Sequence, residues 1–187
     1  MKVTAKARAV LPYLVALFLL LAIPCNAATS SFTETLKAAE QGDAEAQNNL
    51  GRMYAKGQGV TQNDTEAVKW FRKAANQGFA NAQNNLGVRY ATGRGVTQDE
   101  RKAIEWYRKA ADQGYTMAQY NLGLMYATGR GVTQNYSEAY MWTSLAAAKG
   151  HEAAKSNLEA IKTHMTSKQI AKAQKRIAPW KPTSALQ

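Results

Sequence analysis

Cysteine occurs once in this chain of 187 residues, at Cys25, and histidine only twice, at His151 and His164. Beyond residue 27 there is no thiol, which rules out a disulfide framework for that part and leaves a zinc site without its usual sulfur ligands. "HEAAK" at His151–Lys155 lacks the second histidine of a zinc-binding helix, and no G-x-S-x-G elbow occurs. Carboxylates sit on helix faces beside lysine, as in Glu66/Lys69 and Glu105/Lys109. No nucleophile–base pair can be named, so no catalytic, cofactor-binding or metal-ligating residue is assigned and no cofactor is expected.

Long hydrophobic runs are equally scarce. The single example is Val10–Ile23, about 14 residues, short of the ~20 that span a bilayer. Lys2, Lys6 and Arg8 precede it and the small residues of "PCNAATS" follow, the layout of a secretory signal peptide. Cleavage after Ala27 places Cys25 and Ala27 at the two small-residue positions; Pro24 before Cys25 suits a lipidated cysteine poorly. The chain is therefore expected to be exported, to a periplasm or outside the cell, with a mature start at Ala28. Removing the three basic leader residues lowers the net charge from +11 to +8. Most of the excess lies from Lys149 onward, where eight basic residues face Glu152 and Glu159.

What the chain does have is a repeat. "YATGRGVTQ" occurs at Tyr90–Gln98 and again at Tyr126–Gln134, with "YAKGQGVTQ" at Tyr54–Gln62. Residues 44–79, 80–115 and 116–151 align without gaps at a period of 36. Leu50/Leu86/Leu122, Gly51/Gly87/Gly123, Tyr54/Tyr90/Tyr126, Ala67/Ala103/Ala139 and Trp70/Trp106/Trp142 fall in register. "KAAEQGD" at Lys37–Asp43 matches the end of a unit, and 152–180 begins as a fourth unit before diverging.

Each unit reads as two helices. Ala46, Leu50 and Tyr54 form one apolar stripe, ended by Gly57. Ala67, Trp70, Phe71 and Ala74 form the second stripe, ended by Gly78 with Phe79 packing back on Ala74. Asn63 with Glu66, and Asn135 with Glu138, have the spacing of an N-cap and its N3 partner; Asp99 caps the middle copy, where Lys102 takes the N3 place. Gly51, Gly87 and Gly123 interrupt first helices at a cost of about 1 kcal/mol each, which predicts close approach of a neighbouring helix. The Gly-Arg-Gly-Val segments are read as joints between helices, since a phosphate loop would need a Lys-Ser/Thr pair and a preceding strand.

The stretch "AEAQNNLGRMYAKGQGVTQNDTEAVKWFRKAANQG" resembles a Sel-1-like repeat, a relative of the tetratricopeptide repeat with a longer loop between its helices. The resemblance implies an all-α, right-handed α-solenoid that binds other proteins or peptides, with first helices lining the concave wall. Some exported members bridge cysteines within each repeat; this chain has none to bridge.

On that wall the informative positions are those where the units differ. Glu45, Asn48 and Arg52 share the face opposite the stripe of the first unit. Their equivalents are Asn81, Asn84 and Val88, then Met117, Tyr120 and Leu124, so the wall grades from charged through amide-rich to apolar. Arg52, Asn84, Tyr120 and Leu124 are not needed for the stripe and are expected to touch a partner. The apolar end is either a pocket or the seat of the C-terminal helices. "EAYMWTSLAAAKG" in the third unit is apolar on nearly all sides, which favours a cap nearby. Thr166 with Gln169 forms a capping box, Ile170, Ala173 and Ile177 face inward, and Pro179 ends the helix.

The expected layout is a signal peptide over 1–27, a half-repeat helix over 28–43, three repeats over 44–79, 80–115 and 116–151, a degenerate fourth unit or cap over 152–180, and a tail over 181–187. The leading functional expectation is an exported scaffold that binds a protein or peptide in a bacterial envelope or outside the cell. The alternative is an exported hydrolase acting on peptidoglycan or β-lactams. No nucleic-acid partner is expected, and the basic C-terminal segment suggests weak contact with an anionic membrane or glycan surface.

Overall fold

The computed structural model describes residues 23–183, with side chains from Ser31 onward; most of the predicted leader lies outside the described residues. The described residues form helices and no strand: α1 (Ile23–Glu40), α2 (Ala44–Lys56), α3 (Asp64–Asn76), α4 (Ala80–Thr92), α5 (Glu100–Asp112), α6 (Thr116–Thr128), α7 (Tyr136–Ala148), α8 (Glu152–Lys162) and α9 (Ser167–Ile177). Each helix from α1 to α7 packs on the next, and α9 folds back on α7. The pairs α2/α3, α4/α5 and α6/α7 are the three predicted units.

Local chemistry sets the helix ends. Asn63, Asp99 and Asn135 accept the backbone N–H of Glu66, Lys102 and Glu138. Only the first half of the capping box forms at the two asparagines, because Glu66 turns to Lys69 at 2.6 Å and Glu138 to Arg176 at 2.7 Å. Thr166 and Gln169 satisfy both halves. Gly57, Gly93 and Gly129 end the first helices in the left-handed region, at φ of 69°, 71° and 72°. The second helices end in Schellman bonds, Phe79 N–H to Ala74 C=O and Gly78 N–H to Ala75 C=O in the first unit, repeated at Tyr115/Gly114 and His151/Gly150.

The core runs the length of the stack. Leu50, Leu86, Leu122, Ala67, Ala103 and Ala139 are wholly buried. A Cβ placed on Gly51 or Gly87 would lie 2.7 Å from the ring of Phe71 or Tyr107, so these two in-helix glycines make room for an aromatic ring of the partner helix, while Gly123 faces Thr143. That ring belongs to the residue after the recurring tryptophan. Trp70 and Trp106 are only half-buried, contrary to the expected stripe, and carry Lys73 and Lys109 over their faces at 3.8 and 4.1 Å. Lys109 thus stacks on Trp106 and forms no ion pair with Glu105. Trp142 is 1 % exposed. Trp180, just past α9, meets it edge-on with centroids 6.3 Å apart, and Arg108 covers its ring at 5.2 Å.

The cap explains the all-round apolarity of α7. Tyr140, Met141, Trp142 and Leu145 are all buried, because α6, α8, α9 and Trp180 surround that helix. Ala173 is buried and Ile170 and Ile177 pack beside it, as predicted. The chain then crosses back: Pro182 lies over Gly114, and the Thr183 hydroxyl donates to the Asp112 carbonyl at 3.3 Å.

Candidate interaction surface

Polar bonds at a constant sequence offset tie the units together, and they decide which wall residues are free. Asn85 Nδ2 donates to Asn48 Oδ1 at 2.9 Å, and Asn121 Nδ2 donates to Asn84 Oδ1 at 3.0 Å. Gln47, Gln83 and Gln119 donate to the carbonyls of Ala39, Ala75 and Ala111 across the preceding turn. Arg72 and Arg108 reach the hydroxyls of Tyr90 and Tyr126 in the next unit at 3.1 and 2.6 Å.

The Gly-Arg-Gly joints belong to the same system. Arg94 pairs with Asp64 at 3.2 Å, and Arg130 with Glu100 at 2.7 Å, each acid standing at the start of the preceding unit's second helix. Arg89 adds a second cation to Asp64 at 2.7 Å. Gly95 rests against the Asp64 backbone at φ 74°, where a side chain would both strain the turn and collide. The arginine of the motif therefore clamps adjacent units. Burial pulls the Arg89 pKa down, and the Asp64 charge opposes that pull.

These bonds amend the expected binding face. Asn48 and Asn84 are 1 % and 6 % exposed and are spent on the neighbouring first helix, so they hold the stack and leave nothing for a partner. Tyr120 is half-buried: its ring stacks on His151 at 4.3 Å, and its hydroxyl accepts from Asn157 at 3.1 Å. Changing it must disturb the cap as well as the face. A helical wheel missed this because it places residues around one helix and ignores the next.

Glu45, Arg52, Val88, Met117 and Leu124 are exposed, and Asn81 is half-buried with its Oδ1 accepting from Asn85. Burial raises the pKa of the Tyr115 hydroxyl, and the Arg52 charge on α2 reaches far enough to oppose it. Val88, Met117 and Leu124, at 36 %, 45 % and 38 %, are the exposed large hydrophobic residues among those described, and all three lie on this wall.

Leu124 also borders a cavity of about 230 Å³ shared with Thr143, Ile161, Asn157, Tyr136 and His164. The cap forms one side of this cavity and leaves Leu124 38 % exposed, so the apolar end carries a cavity as well as the cap. His151, in the slot of Phe79 and Tyr115, caps α8 by accepting the Ala154 N–H on Nδ1 at 3.1 Å. His164 stacks on Tyr136 at 4.7 Å. Sequence reasoning singled out neither pairing; the signal was the replacement of Asp64 and Glu100 by Tyr136 at the same register. Among the described residues no group of acids, histidines or cysteines could hold a metal, and no helix is long and apolar enough to cross a membrane.

Stacked helix pairs joined by register-fixed polar bonds define an α-solenoid of the tetratricopeptide-related class. The family model described as Sel1 repeat matches residues 44–79, 80–115 and 116–151, and the chain belongs to the Sel1 repeat family. Sel1 repeat proteins are commonly protein-interaction scaffolds, typically non-catalytic, that bind protein partners. A Sel1 repeat protein from Oxalobacter formigenes is 43 % identical, with TM-score 0.64, over 70 % of this chain and 98 % of its own. A protective antigen present in uropathogenic Escherichia coli strains, displaying an SLR fold, is 43 % identical with TM-score 0.64. That match covers 66 % of this chain, which spans only about a quarter (26 %) of the antigen's length. Cysteine-rich protein B of Helicobacter pylori, 24 % identical with TM-score 0.57 over 72 % of this chain and 96 % of its own, shares the fold. No curated protein sequence matches the chain.

Proposed function

We propose that the protein is an exported scaffold of the bacterial envelope that holds a protein or peptide on its first-helix wall, with the apolar end as anchor site. One observation carries this reading: Val88, Met117 and Leu124 stand exposed on a single wall, and Leu124 borders a cavity of about 230 Å³. Exposed apolar residues grouped beside a pocket mark interaction sites. Export is supported by the charged, apolar and small-residue segments of 1–27. Cleavage after Ala27 would leave a helix over 28–40, which lies one 36-residue period before α3 and matches its length of 13 residues. The similarity to a protective antigen agrees with a protein that antibodies can reach. The basic C-terminal segment adds weak contact with an anionic surface of the envelope.

Crosslinking capture from envelope extracts tests the reading, with wild type beside Met117→Asp and Leu124→Asp. The partner should be captured by wild type and lost from both variants while their melting temperatures hold. Capture indifferent to both changes would place the binding surface elsewhere. The intact mass of periplasmic material should show a start at Ala28 or within about two residues of it.

A further inference from the structure

We propose that α9 is the face by which the scaffold lies against an anionic phospholipid bilayer, an inference that rests on the envelope location proposed above. From residue 160 to the end of the chain there are six basic residues and no acid. Two are neutralised by earlier acids, Lys162 by Glu159 and Arg176 by Glu138, each at 2.7 Å. Lys168, Lys172, Lys175 and Lys181 are exposed and have no acid partner among the described residues.

Their placement is orderly. At 100° per residue, Lys168, Lys172 and Lys175 fall within about 60° of one another, directly opposite Ile170, Ala173 and Ile177, which grip α7. The row is about 10 Å long on a helix fixed at both ends, by the Thr166 capping box and by Trp180 on Trp142. Lys172 borders a cleft holding Glu138, but Arg176 already occupies that carboxylate.

The chemistry selects the occupant. Lysine is a compact charge that suits a diffuse field of headgroups, whereas arginine forks grip individual phosphates, and the only arginine of α9 is taken by Glu138. The face has no aromatic residue on which bases could stack. It lies at the C-terminal end of the stack, and the cleft beside it holds the Glu138 carboxylate, already paired with Arg176. α9 packs on α7, a second helix, so the lysine face is separate from the first helices that form the wall.

The test uses the mature chain in low salt with vesicles of phosphatidylcholine, with or without phosphatidylglycerol. Wild type should co-sediment only with the anionic vesicles and dissociate in molar salt, where charges are screened beyond about 3 Å. Each lysine is expected to contribute about fivefold, so Lys168→Gln/Lys172→Gln/Lys175→Gln should weaken binding on the order of a hundredfold. If that variant melts early, Lys168→Gln and Lys175→Gln singly should each lose about fivefold. Absence of binding to anionic vesicles, or binding unchanged by these substitutions, overturns the proposal. So does heparin displacing the protein from vesicles while binding the lysine variants equally well. Leu124→Asp should keep full vesicle binding, so failure of the partner site and failure of this face are read separately.

Discussion

The joint between the first and second units and the joint between the third unit and the cap occupy the same register, yet they are built from different chemistry. In the first, Asp64 holds Arg89 and Arg94, and Asn48 accepts from Asn85. One period on, Glu100 holds Arg130 alone, with Met125 in the register of Arg89, and Asn84 accepts from Asn121. At the third unit the same positions are Tyr136 and Tyr120, and each stacks on one of the two histidines. The partner of Asn157 becomes a tyrosine hydroxyl instead of an amide oxygen. Directional polar bonds reproduce one geometry and let a stack propagate. Aromatic stacking and apolar burial accept a shorter ending, with helices of 11 residues in place of 13, which stops it.

The largest effect should come from the tryptophan whose surroundings the cap changes. Trp142→Ala should cost about 3–5 kcal/mol, as for a fully buried aromatic, whereas Trp70→Ala in the same register should cost far less because its ring is half in water. Denaturant unfolding of the pair measures the difference, and equal costs would erase the contrast. Leu86→Ala, a cavity in the middle of the stack, should cost about 2–5 kcal/mol. Gly87→Ala should cost about 1–3 kcal/mol, because the new methyl group meets the Tyr107 ring head-on.

The period, the unit boundaries, the caps and the role of the in-helix glycines were legible in the sequence, because each is a local signal repeated three times. Exposure on the wall was legible only in part. Arg52, Val88, Met117 and Leu124 are exposed as their wheel positions imply. Asn48 and Asn84 are not, because their burial depends on an asparagine 37 residues downstream that the wheel does not contain. The same blindness put Trp70 in the core, where the following Phe71 does the filling.

Smaller effects sharpen the polar side of the comparison. Asp64→Asn leaves Arg89, partly buried, without its anion, and should cost about 1–2 kcal/mol. Glu100→Gln breaks a pair whose arginine is half exposed and should cost under about 1 kcal/mol. Asp99→Asn tests the caps. Hydrogen bonds from the Lys102 backbone and side chain hold the Asp99 pKa below its ordinary 3.8. A depressed carboxylate stabilises fully above its unfolded pKa, and the contribution fades as pH falls through the folded value. Asparagine, already the cap at Asn63 and Asn135, should keep the helix at neutral pH and flatten the stability profile below about pH 4.

The central claim is that the apolar end of the first-helix wall is free for a partner although the cap sits beside it. Leu124→Ala, measured for melting temperature alone and for affinity toward a partner captured from envelope extracts, tests it directly. The account predicts an unchanged melting temperature and affinity weakened about tenfold or more, the scale of an interface anchor. A fall in melting temperature with no partner present, or an affinity equal to wild type, would show that Leu124 seats the cap and that the binding surface lies elsewhere.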